Sequence, residues 1–485
     1  ITTGAKNGLK IEDNGETTDL GFRFGSDFND PRWDALLDQL TVDEMENLYI
    51  NAYGGLAELK SVGKSKSKDA DGPAQIGGFT GMGAGTGFPG SSTLAQTWNA
   101  DLAQEEGRTI GTQALQNGYT GWYAPATNMH RSPFNGRNYE YYSEDSLLSG
   151  VICGNTVTGA NQAGVYTYVK HFICNDGESG IYRDSVYTWM TEQTLRETYL
   201  RPFQMLVEDY DAVGLMSSYN RIGAVWAGGS EALLTGILRD EWGFDGYVMS
   251  DWGATTADRV KCLEAGMELE MPGKNAANDK QIVDAVNNGT LDIKVLDTAV
   301  ERILNIVLKY TENKQPETKI DFEADHEEAR KIADESMVLL KNDGILPLKR
   351  CQKLAFIGKF AETPRFQGGG SSHVNSYKVT SALEAAKGLD VTYAPGYDTN
   401  TTESDEALLK EAQEAAKNAD VAVVFVGITD AMESEGMDRR TLSMPKNHEA
   451  LVRAVSEVQK NTVVVVMCGG CITMPWIDDV RGVLY

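Results

Sequence analysis

Short β-rich runs alternate with amphipathic helical stretches from residue 30 to about residue 310. The helical stretches repeat apolar residues every three or four positions, and the runs between them are rich in branched and aromatic residues. A β-then-α alternation of this length predicts a parallel sheet closed into a (β/α)8-type barrel. The predicted strands are 121–124, 165–169, 212–216, 246–249 and 266–270, and the predicted helices include 31–40, 94–116, 194–208, 231–241 and 279–287.

Polar side chains follow successive predicted strands of this series. In a (β/α)8 barrel the strand interiors are apolar and the active site lies at the carboxyl ends. Loop polarity explains any one of these positions equally well, but their repetition favours an active-site face. The residues are Asn128, Lys170-His171, Tyr219-Asn220 and Asp251-Trp252.

A second β/α series follows a long helix, predicted at 295–310, and a polar, proline-containing stretch at 311–318. It predicts an open, doubly wound α/β layer. The sequence ends inside a further strand-like run, so we expect this domain to be incomplete, with a second chain or further C-terminal domains completing it. Its predicted strands are 353–357, 391–394, 421–426 and 462–467, and its helices are 326–340, 381–387, 405–418 and 447–460.

These patterns predict four segments. They are an N-terminal arm at 1–29, the barrel at 30–310, a linker at 311–325 and an incomplete α/β sandwich at 326–485.

The acidic composition of the chain narrows the classes of partner. Lys and Arg number 44 against 70 Asp and Glu, which gives a formal net charge of −26. So acidic a surface repels phosphate backbones and anionic lipids, which argues against nucleic acids and membrane surfaces and favours a neutral substrate. The longest apolar run, Thr462–Met467, is too short to cross a bilayer. No leader precedes Ile1, so cytoplasmic and secreted locations both stay open, as does a homo-oligomer.

The sequence gives little support to a metal, nucleotide or redox site. No two His lie four residues apart and no Cys/His cluster occurs, so we expect neither a metal nor another cofactor. Gly368-Gly-Gly-Ser-Ser372 lacks the Gly-Lys-Ser/Thr ending of a phosphate-binding loop. Cys468-Gly-Gly-Cys471 ends a predicted buried strand, which favours a structural role.

Several charged residues have both a catalytic and a structural interpretation. Asp251 is a candidate nucleophile at a strand end, or the cap of the following helix. Lys170 and His171 suit hydroxyl recognition, or are a solvated lysine and a packed histidine. Arg137 is a fork-shaped donor for hydroxyls or carboxylates, or half of a surface ion pair. Asp71 binds vicinal hydroxyls, or belongs to an Asp-Gly-Pro turn.

The loop at 431–440 combines two carboxylates, a glycine and two arginines after a predicted strand. Such a loop is able to cross a domain cleft and supply a proton donor if burial raises the pKa of its glutamate. The alternative is a solvated run of charges.

Eight short segments follow one another in a fixed order along the chain. They are Asp71-Gly-Pro, Gly136-Arg-Asn-Tyr-Glu, Lys170-His-Phe, Met216-Ser-Ser-Tyr-Asn, Trp242-Gly-Phe-Asp-Gly-Tyr-Val-Met-Ser-Asp-Trp252, Val338-Leu-Leu-Lys-Asn342, Gly368-Gly-Gly-Ser-Ser and Glu435-Gly-Met-Asp-Arg439. Taken together, with the block around Asp251 as the longest match, they closely resemble family 3 glycoside hydrolases of the β-glucosidase type, over about residues 30–485.

The resemblance implies a two-step retaining mechanism in a site between the barrel and the sandwich. Asp251 matches the family nucleophile, and Glu435, rather than Glu433, matches the general acid/base. Retention implies carboxyl groups about 5–5.5 Å apart. The resemblance also implies a set of residues that hold the sugar, of which Arg183 and Ser371 match less securely. They are Asp71, Arg137, Lys170, His171, Arg183, Tyr219, Trp252 and Ser371.

The resemblance implies an exo-acting β-glucosidase that releases terminal β-D-glucosyl residues from oligosaccharides or aryl glucosides. Lys170-His-Phe-Ile-Cys-Asn175 lacks the second His of the N-acetylglucosaminidases, which disfavours that branch. Asp71-Gly-Pro-Ala-Gln-Ile-Gly77 lacks the Arg that many members carry there. A β-xylosidase, a member of mixed specificity and a non-catalytic sugar-binding relative stay open as alternatives.

Overall fold

Two separate clusters of buried apolar side chains divide the chain into two α/β domains. The larger cluster runs from Trp33 to Ile332 and the smaller from Leu354 to Val483. The computed structural model describes residues 4, 6–9, 30–77, 85–254, 258–273, 279–313 and 319–485, so most of the predicted N-terminal arm lies outside the described residues. Each cluster is built by its own strands and helices, which gives each domain its own core.

The first domain contains a series of parallel strands whose order in space follows their order along the chain. Only Tyr168 separates the third strand from the fourth, and Met249 of the last strand continues the series through a parallel bridge to Leu269. The described strands form two parallel three-stranded sheets, so the described residues do not show the eight paired strands expected of the predicted barrel. The strands are Asp69–Ala70, Gly121–Trp122, Tyr166–Thr167, Val169–Phe172, Gly214–Ser217 and Tyr247–Met249.

The two ends of this parallel series reach the same segment of chain. Asp69, in the first strand, donates its N–H to the carbonyl of Gly54 over 3.0 Å. Glu270, next to the last bridge, donates its N–H to the carbonyl of Tyr49 over 2.8 Å. Residues 49–54 therefore connect the first and the last members of the series.

Helices alternate with these strands, as the sequence pattern predicts. A capping box begins the helix Val42–Tyr49, because Glu44 donates its N–H to Thr41 Oγ1 over 3.2 Å and accepts the N–H of Thr41 over 3.0 Å. The α-helices are Pro31–Leu37, Val42–Tyr49, Ser91–Gln96, Ala100–Gln116, Ser146–Ala163, Ile181–Asp184, Glu192–Thr194, Arg201–Glu208, Arg259–Ala265, Gln281–Asn288 and Ile293–Asn313, with π-helical segments at Leu195–Leu200 and Ala232–Glu241.

A small separate sheet stands beside the carboxyl ends of the main strands. Two of its three strands form an antiparallel hairpin. The third strand pairs in parallel with the first strand of that hairpin. The three strands are Tyr187–Thr188, Arg221–Ile222 and Val225–Trp226.

The second domain is built on a six-stranded sheet with one antiparallel edge strand, in agreement with the predicted doubly wound layer. Strand order reverses between Leu354–Ile357 and Val421–Gly427, and a crevice forms beyond the carboxyl ends of strands at such a reversal. The loop that carries Glu435 leaves the sheet there. In spatial order the strands are Leu339–Asn342, Gly482–Leu484, Thr462–Met467, Val421–Gly427, Leu354–Ile357 and Val391–Ala394, and the helices are Ala382–Ala385, Glu406–Lys417 and Lys446–Val458.

The prediction of a helix at 326–340 is wrong at its carboxyl end. The helix is Phe322–Ser336, and Met337 turns to extended backbone. The apolar run that follows lacks a helical repeat, and Leu339–Asn342 instead forms the antiparallel edge strand with Gly482–Leu484.

The segment predicted as a linker, 311–325, is helical at both ends. Helix Ile293–Asn313 runs into it, helix Phe322–Ser336 begins inside it, and residues 314–318 lie outside the described part of the chain. Ala329 and Ile332 pack in the larger cluster, so the second helix packs on the first domain although the predicted boundary assigns it to the second.

Candidate active site

Asp251 lies directly beyond the strand Tyr247–Met249, and only 7% of the residue is exposed. Its Oδ1 accepts the N–H of Trp252 over 2.6 Å, whereas Oδ2 has no hydrogen-bond partner among the described residues. The alternative interpretation as a helix cap is wrong, because Asp258 caps the helix Arg259–Ala265. One carboxylate oxygen is therefore fixed and the other is free to form a bond.

Burial governs the ionisation of Asp251. The pKa of that carboxyl group is raised to about 6, chiefly by burial and also by the charge of Glu435. The Arg137 guanidinium, the N–H of Trp252 and the Lys170 ammonium act in the opposite direction. The carboxylate is consequently ionised near neutral pH and loses its charge in mildly acidic solution.

A buried network of charges lies beside Asp251. The Lys170 ammonium lies 2.6 Å from Asp71 Oδ1 and 3.5 Å from Glu140 Oε1. Arg137 holds both oxygens of Glu140, with each nitrogen-to-oxygen distance 2.7 Å. Lys170 and Arg137 are each 1% exposed, so neither is the solvated lysine or the surface ion pair of the alternative interpretations.

Asp71 takes part in the predicted turn and forms an ion pair through its carboxylate, whereas its binding of vicinal hydroxyls stays a prediction. Its main-chain carbonyl accepts the N–H of Gly77 over 2.5 Å, which closes the turn, while its carboxylate binds Lys170. Glu140, which links Lys170 to Arg137, is absent from the predicted site. Its position three residues after Arg137 is the signal that makes it identifiable.

His171 is a neutral imidazole, and it lies within the strand Val169–Phe172 rather than after a strand as predicted. Burial lowers the pKa of His171 well below its ordinary value, and the charges of Arg137 and Lys170 lower it further. Its Nε2 lies 3.6 Å from Asp251 Oδ2, and Asn128 holds its main chain through two hydrogen bonds of 2.8 Å each. The predicted His171 and Asn128 therefore act as one structural pair.

Glu435 reaches this network from the second domain. Its Oε1 lies 3.5 Å from an Arg137 nitrogen and 3.2 Å from an Arg183 nitrogen, and its Oε2 accepts the N–H of Ser371 over 2.7 Å. Burial alone would raise the pKa of Glu435, but the charge of Arg137 and the hydrogen bonds from Ser371 lower it to about 2. In this geometry Glu435 is an ionised carboxylate.

Arg183 and Tyr219 connect the surroundings of the two carboxylates. The Arg183 guanidinium lies 4.2 Å from the centre of the Tyr219 ring and also binds Glu178 Oε2 over 3.2 Å. The Tyr219 hydroxyl donates to the carbonyl of Trp252 over 2.5 Å. Both predicted residues therefore lie in the cluster between Asp251 and Glu435.

An aromatic pair stands at the exposed rim of the site. Trp252 is 49% exposed, and the ring of Tyr53 meets it edge to face at 5.0 Å. Exposed aromatic faces of this kind suit the apolar faces of a sugar ring. Tyr53 is absent from the predicted site.

Ser371 and Glu433 differ in their contacts from the neighbouring Ser372 and Glu435. Ser371 contacts Glu435, whereas the neighbouring Ser372 bonds the hydroxyl of Tyr139 over 2.7 Å. Glu433 is fully buried in the second domain and pairs with Arg365 over 2.7 Å, so it does not compete with Glu435. This burial shows that the loop is not the solvated run of charges of the alternative interpretation.

Within the described ranges, no group of three or more His, Cys, Asp or Glu residues is arranged to hold a metal ion. Nor does any helix there combine the length and the apolar character needed to cross a membrane. A cavity of about 550 Å³ lies elsewhere, between the helix Phe322–Ser336 and the sheet of the second domain, and Asp251 does not line it.

Two family models match the chain in succession. The model described as the glycosyl hydrolase family 3 N terminal domain matches residues 73–306, and that of the family 3 C-terminal domain matches residues 337–485. The chain belongs to glycosyl hydrolase family 3. The family 3 match includes Asp251 in its first part and Glu435 in its second.

Similar proteins of family 3 agree with this assignment. A thermostable beta-glucosidase B from Acetivibrio thermocellus is 41% identical over 405 residues, 82% of this chain and 53% of that protein. An exo-alpha-(1->6)-L-arabinopyranosidase from Bifidobacterium longum is 40% identical over 82% of this chain and 54% of its own length. The crystal structure of a beta-glucosidase from Bifidobacterium adolescentis is 38% identical with a TM-score of 0.87, covering 93% of this chain and 66% of that one. The chain thus spans about half the length of the curated relatives it matches.

Proposed function

We propose that this protein is a retaining exo-β-glucosidase that hydrolyses terminal non-reducing β-D-glucosyl residues. The observation that carries the proposal is the meeting of two carboxylates from different domains in one cluster. Asp251 presents a free oxygen from the first domain, and Glu435 enters from the second beside the same Arg137. Retaining glycosidases use two such carboxylates, about 5–5.5 Å apart.

Asp251 is the nucleophile of the proposed reaction. Its Oδ2 forms a bond to the anomeric carbon while the bond from that carbon to the leaving oxygen breaks, which leaves a glycosyl ester. Glu435 gives its proton to the leaving oxygen and later takes a proton from the water that hydrolyses the ester. The water oxygen ends on the anomeric carbon, and Asp251 returns as a carboxylate.

Glu435 must carry a proton for the first step, although its surroundings favour the ionised form. Arg183 is the more exposed of the two arginines that contact it, with 24% of its side chain accessible compared with 1% for Arg137. Loss of the Arg183 contact would remove a stabilising charge and raise the pKa of Glu435. We therefore propose that Arg183 moves away from Glu435 when substrate enters and that Glu435 then takes up a proton.

The sugar is held by the polar residues around Asp251. Asp71 offers its second carboxylate oxygen to hydroxyl groups, and neutral His171 and charged Lys170 offer donors. The exposed face of Trp252 provides a platform for the ring. The proposed binding residues are Asp71, Arg137, Lys170, His171, Arg183, Tyr219, Trp252 and Ser371.

We further propose that the first domain is a (β/α)8-type barrel at 30–310 and that the α/β sandwich extends over 326–485. The sequential parallel order of the strands supports a barrel, as do the hydrogen bonds by which both ends of the series reach residues 49–54.

A second candidate activity is the release of terminal α-L-arabinopyranosyl residues. It is favoured by the arabinopyranosidase that is 40% identical to this chain. L-Arabinopyranose lacks the exocyclic hydroxymethyl group of glucose and has the opposite configuration at C4, so a site that accepts both sugars must tolerate both differences.

One assay on the complete protein tests these candidates. It compares aryl β-D-glucoside, β-D-xyloside, β-D-galactoside, N-acetyl-β-D-glucosaminide and α-L-arabinopyranoside, and follows the first anomer released by proton NMR. Preferred turnover of the β-glucoside with β-glucose as the first product supports the proposal. Preference for the arabinopyranoside favours the second candidate, and α-glucose as the first product contradicts retention. Glucose binding by calorimetry without turnover of any substrate indicates a non-catalytic relative.

A further inference from the structure

The loop that carries Glu435 is held at two places. We call residues 432–439 the Glu435 loop. At its start, Glu433 is anchored inside the second domain by Arg365 and by the N–H of Gly469, over 2.7 and 3.2 Å. Glu435 itself donates its N–H to the carbonyl of Gly369 over 3.1 Å. These bonds fix the start of the loop to its own domain.

The far end of the loop is bound to the first domain through Asp438. Its Oδ1 accepts the N–H of Glu178 over 2.9 Å and that of Gly136 over 3.3 Å. Its Oδ2 accepts the N–H of Ser179 over 2.9 Å, and the N–H of Asp438 donates to Ser179 Oγ over 2.7 Å. Hydrogen bonds to an ionised acceptor are about twice as strong as neutral ones.

Main-chain contacts on either side of Asp438 complete this attachment. Gly436, the residue after Glu435, donates its N–H to Glu178 Oε2 over 3.1 Å, and Glu178 is 1% exposed. A Cβ atom at Gly136 would lie 1.7 Å from the carbonyl oxygen of Met437, so the two main chains meet too closely for any side chain there. The loop is therefore seated on the first domain immediately beyond Glu435.

We infer that Asp438 is a positioning residue that sets Glu435 against Asp251 across the domain interface. This inference rests on the proposed function of Glu435. The carboxylate of Asp438 is bound by main-chain N–H groups of both loops that border the site in the first domain, at Gly136 and at Glu178–Ser179. Only Gly436 and Met437 separate Asp438 from Glu435, so release of Asp438 frees the acid to move away from the leaving oxygen.

The geometry gives this role a distinct kinetic signature. A displacement of about 1 Å in a catalytic group costs roughly a hundredfold in rate. Because Asp438 positions the acid and does not touch Asp251, its loss weakens proton donation more than nucleophilic attack. Substrates with poor leaving groups depend on proton donation, whereas activated aryl glucosides depend on it much less.

The test compares Asp438→Ala and Asp438→Asn with the matched control Glu403→Gln in the complete protein. Glu403 is a carboxylate of the same domain with 78% of its side chain exposed. For Asp438→Ala we expect kcat/KM to fall roughly a hundredfold on alkyl glucosides and less than about tenfold on 2,4-dinitrophenyl β-glucoside. Asp438→Asn keeps one acceptor oxygen and should lie between the alanine variant and the unmodified protein. The control should match the unmodified protein on both substrates.

Amide hydrogen exchange provides a readout that is independent of activity. Asp438→Ala should accelerate exchange in peptides that cover 134–137 and 176–180 of the first domain as well as 432–439, while other peptides stay protected. A general loss of protection together with equal loss on both substrates would show a merely structural role and overturn the inference. So would activity within about twofold of the unmodified protein on both substrates.

The variant Glu435→Ala separates failure of this inference from failure of the proposed function. If Glu435→Ala loses activity selectively on poor leaving groups and Asp438→Ala does not, the inference alone is wrong. If Glu435→Ala shows no such selectivity, the assignment of Glu435 as the acid is wrong, and so is the positioning role of Asp438.

Discussion

Arg137 of the first domain lies 3.5 Å from Glu435 of the second, and no more than 1% of the arginine side chain is exposed. The same guanidinium lowers the pKa values of both Asp251 and Glu435. One buried cation therefore stabilises the ionised forms of two carboxylates that belong to separate cores. Because those carboxylates repel each other, the charge state of one controls the ionisation of the other.

This coupling predicts the pH dependence of activity. The pKa of Asp251 is about 6, and only the ionised form attacks, so kcat/KM should rise as the pH increases through about 6. The charge of Glu435 raises the pKa of Asp251, so Glu435→Gln should move this rise of kcat/KM to lower pH. The measurement is a pH–rate profile on an activated aryl glucoside. An unchanged limb in Glu435→Gln would show that the two carboxylates are not coupled.

Replacement of Asp251 should abolish turnover. Asp251→Ala and Asp251→Asn remove the atom that bonds to the anomeric carbon, and we expect kcat on an activated aryl glucoside to fall more than about a thousandfold. The control is Asp258→Asn, which changes a helix cap near the site without touching the cluster. A 2-deoxy-2-fluoroglucoside should label the unmodified protein on the peptide that contains Asp251, as detected by mass spectrometry. A label on another residue would contradict the assignment.

Replacement of Glu435 by alanine should separate substrates by their leaving groups. General acid catalysis contributes about 100- to 10,000-fold, and this loss should appear on alkyl glucosides and largely spare 2,4-dinitrophenyl β-glucoside. Azide, a nucleophile that needs no general base, should accelerate the second step and yield β-glucosyl azide. Equal losses on both substrates without azide acceleration would argue against the acid/base role. Glu403→Gln, an exposed carboxylate of the same domain, is the control.

A buried acid pair outside the site predicts how stability changes with pH. Glu106 Oε2 and Glu328 Oε1 have no hydrogen-bond partners among the described residues. Burial raises the pKa of Glu328 to about 7, and burial and Glu328 together raise the pKa of Glu106 well above its ordinary value. Above about pH 4.5 these two carboxyl groups bind more protons in the folded protein than in the unfolded chain. The free energy of unfolding therefore decreases as the pH rises toward 7 and beyond.

Glu106→Gln should therefore stabilise the protein at high pH. We expect Tm at pH 8 to rise by roughly 2–4 °C, with a smaller gain at pH 5, where the carboxyl groups are already protonated. Differential scanning calorimetry at both pH values measures the difference. Glu403→Gln removes an exposed charge of the second domain and should show no such pH dependence. A lower Tm for Glu106→Gln at pH 8 would contradict the prediction.

Repeating patterns explain why the sequence predicts most elements of both domains. Strands such as Val421–Gly427 and Thr462–Met467 are continuous apolar runs, and each lies within one residue of its predicted bounds. The edge strand Leu339–Asn342 was not predictable from the sequence pattern. Its apolar residues directly follow an amphipathic helix, and its partner strand lies far along the chain at residues 482–484. Pairing over such a separation leaves no local signal.

The sequence indicated the candidate site residues that combine a charged side chain with a telling position in the chain. It did not indicate residues whose role depends on contacts between distant loops. Asp251, Lys170 and Glu435 stand at strand ends or in a charged loop, which marks them in the sequence. Glu178 and Asp438 became recognisable only when two distant loops were seen to meet, since each is an ordinary carboxylate by its own sequence surroundings.

The division into two cores has a consequence for how the protein tolerates change. In the proposed mechanism neither half holds both reacting carboxylates, so the rate would depend on the angle between the halves as well as on the integrity of each. A substitution deep in either core that tilts one half by a small amount acts on the chemistry from a distance, even though every side chain around the sugar keeps its identity.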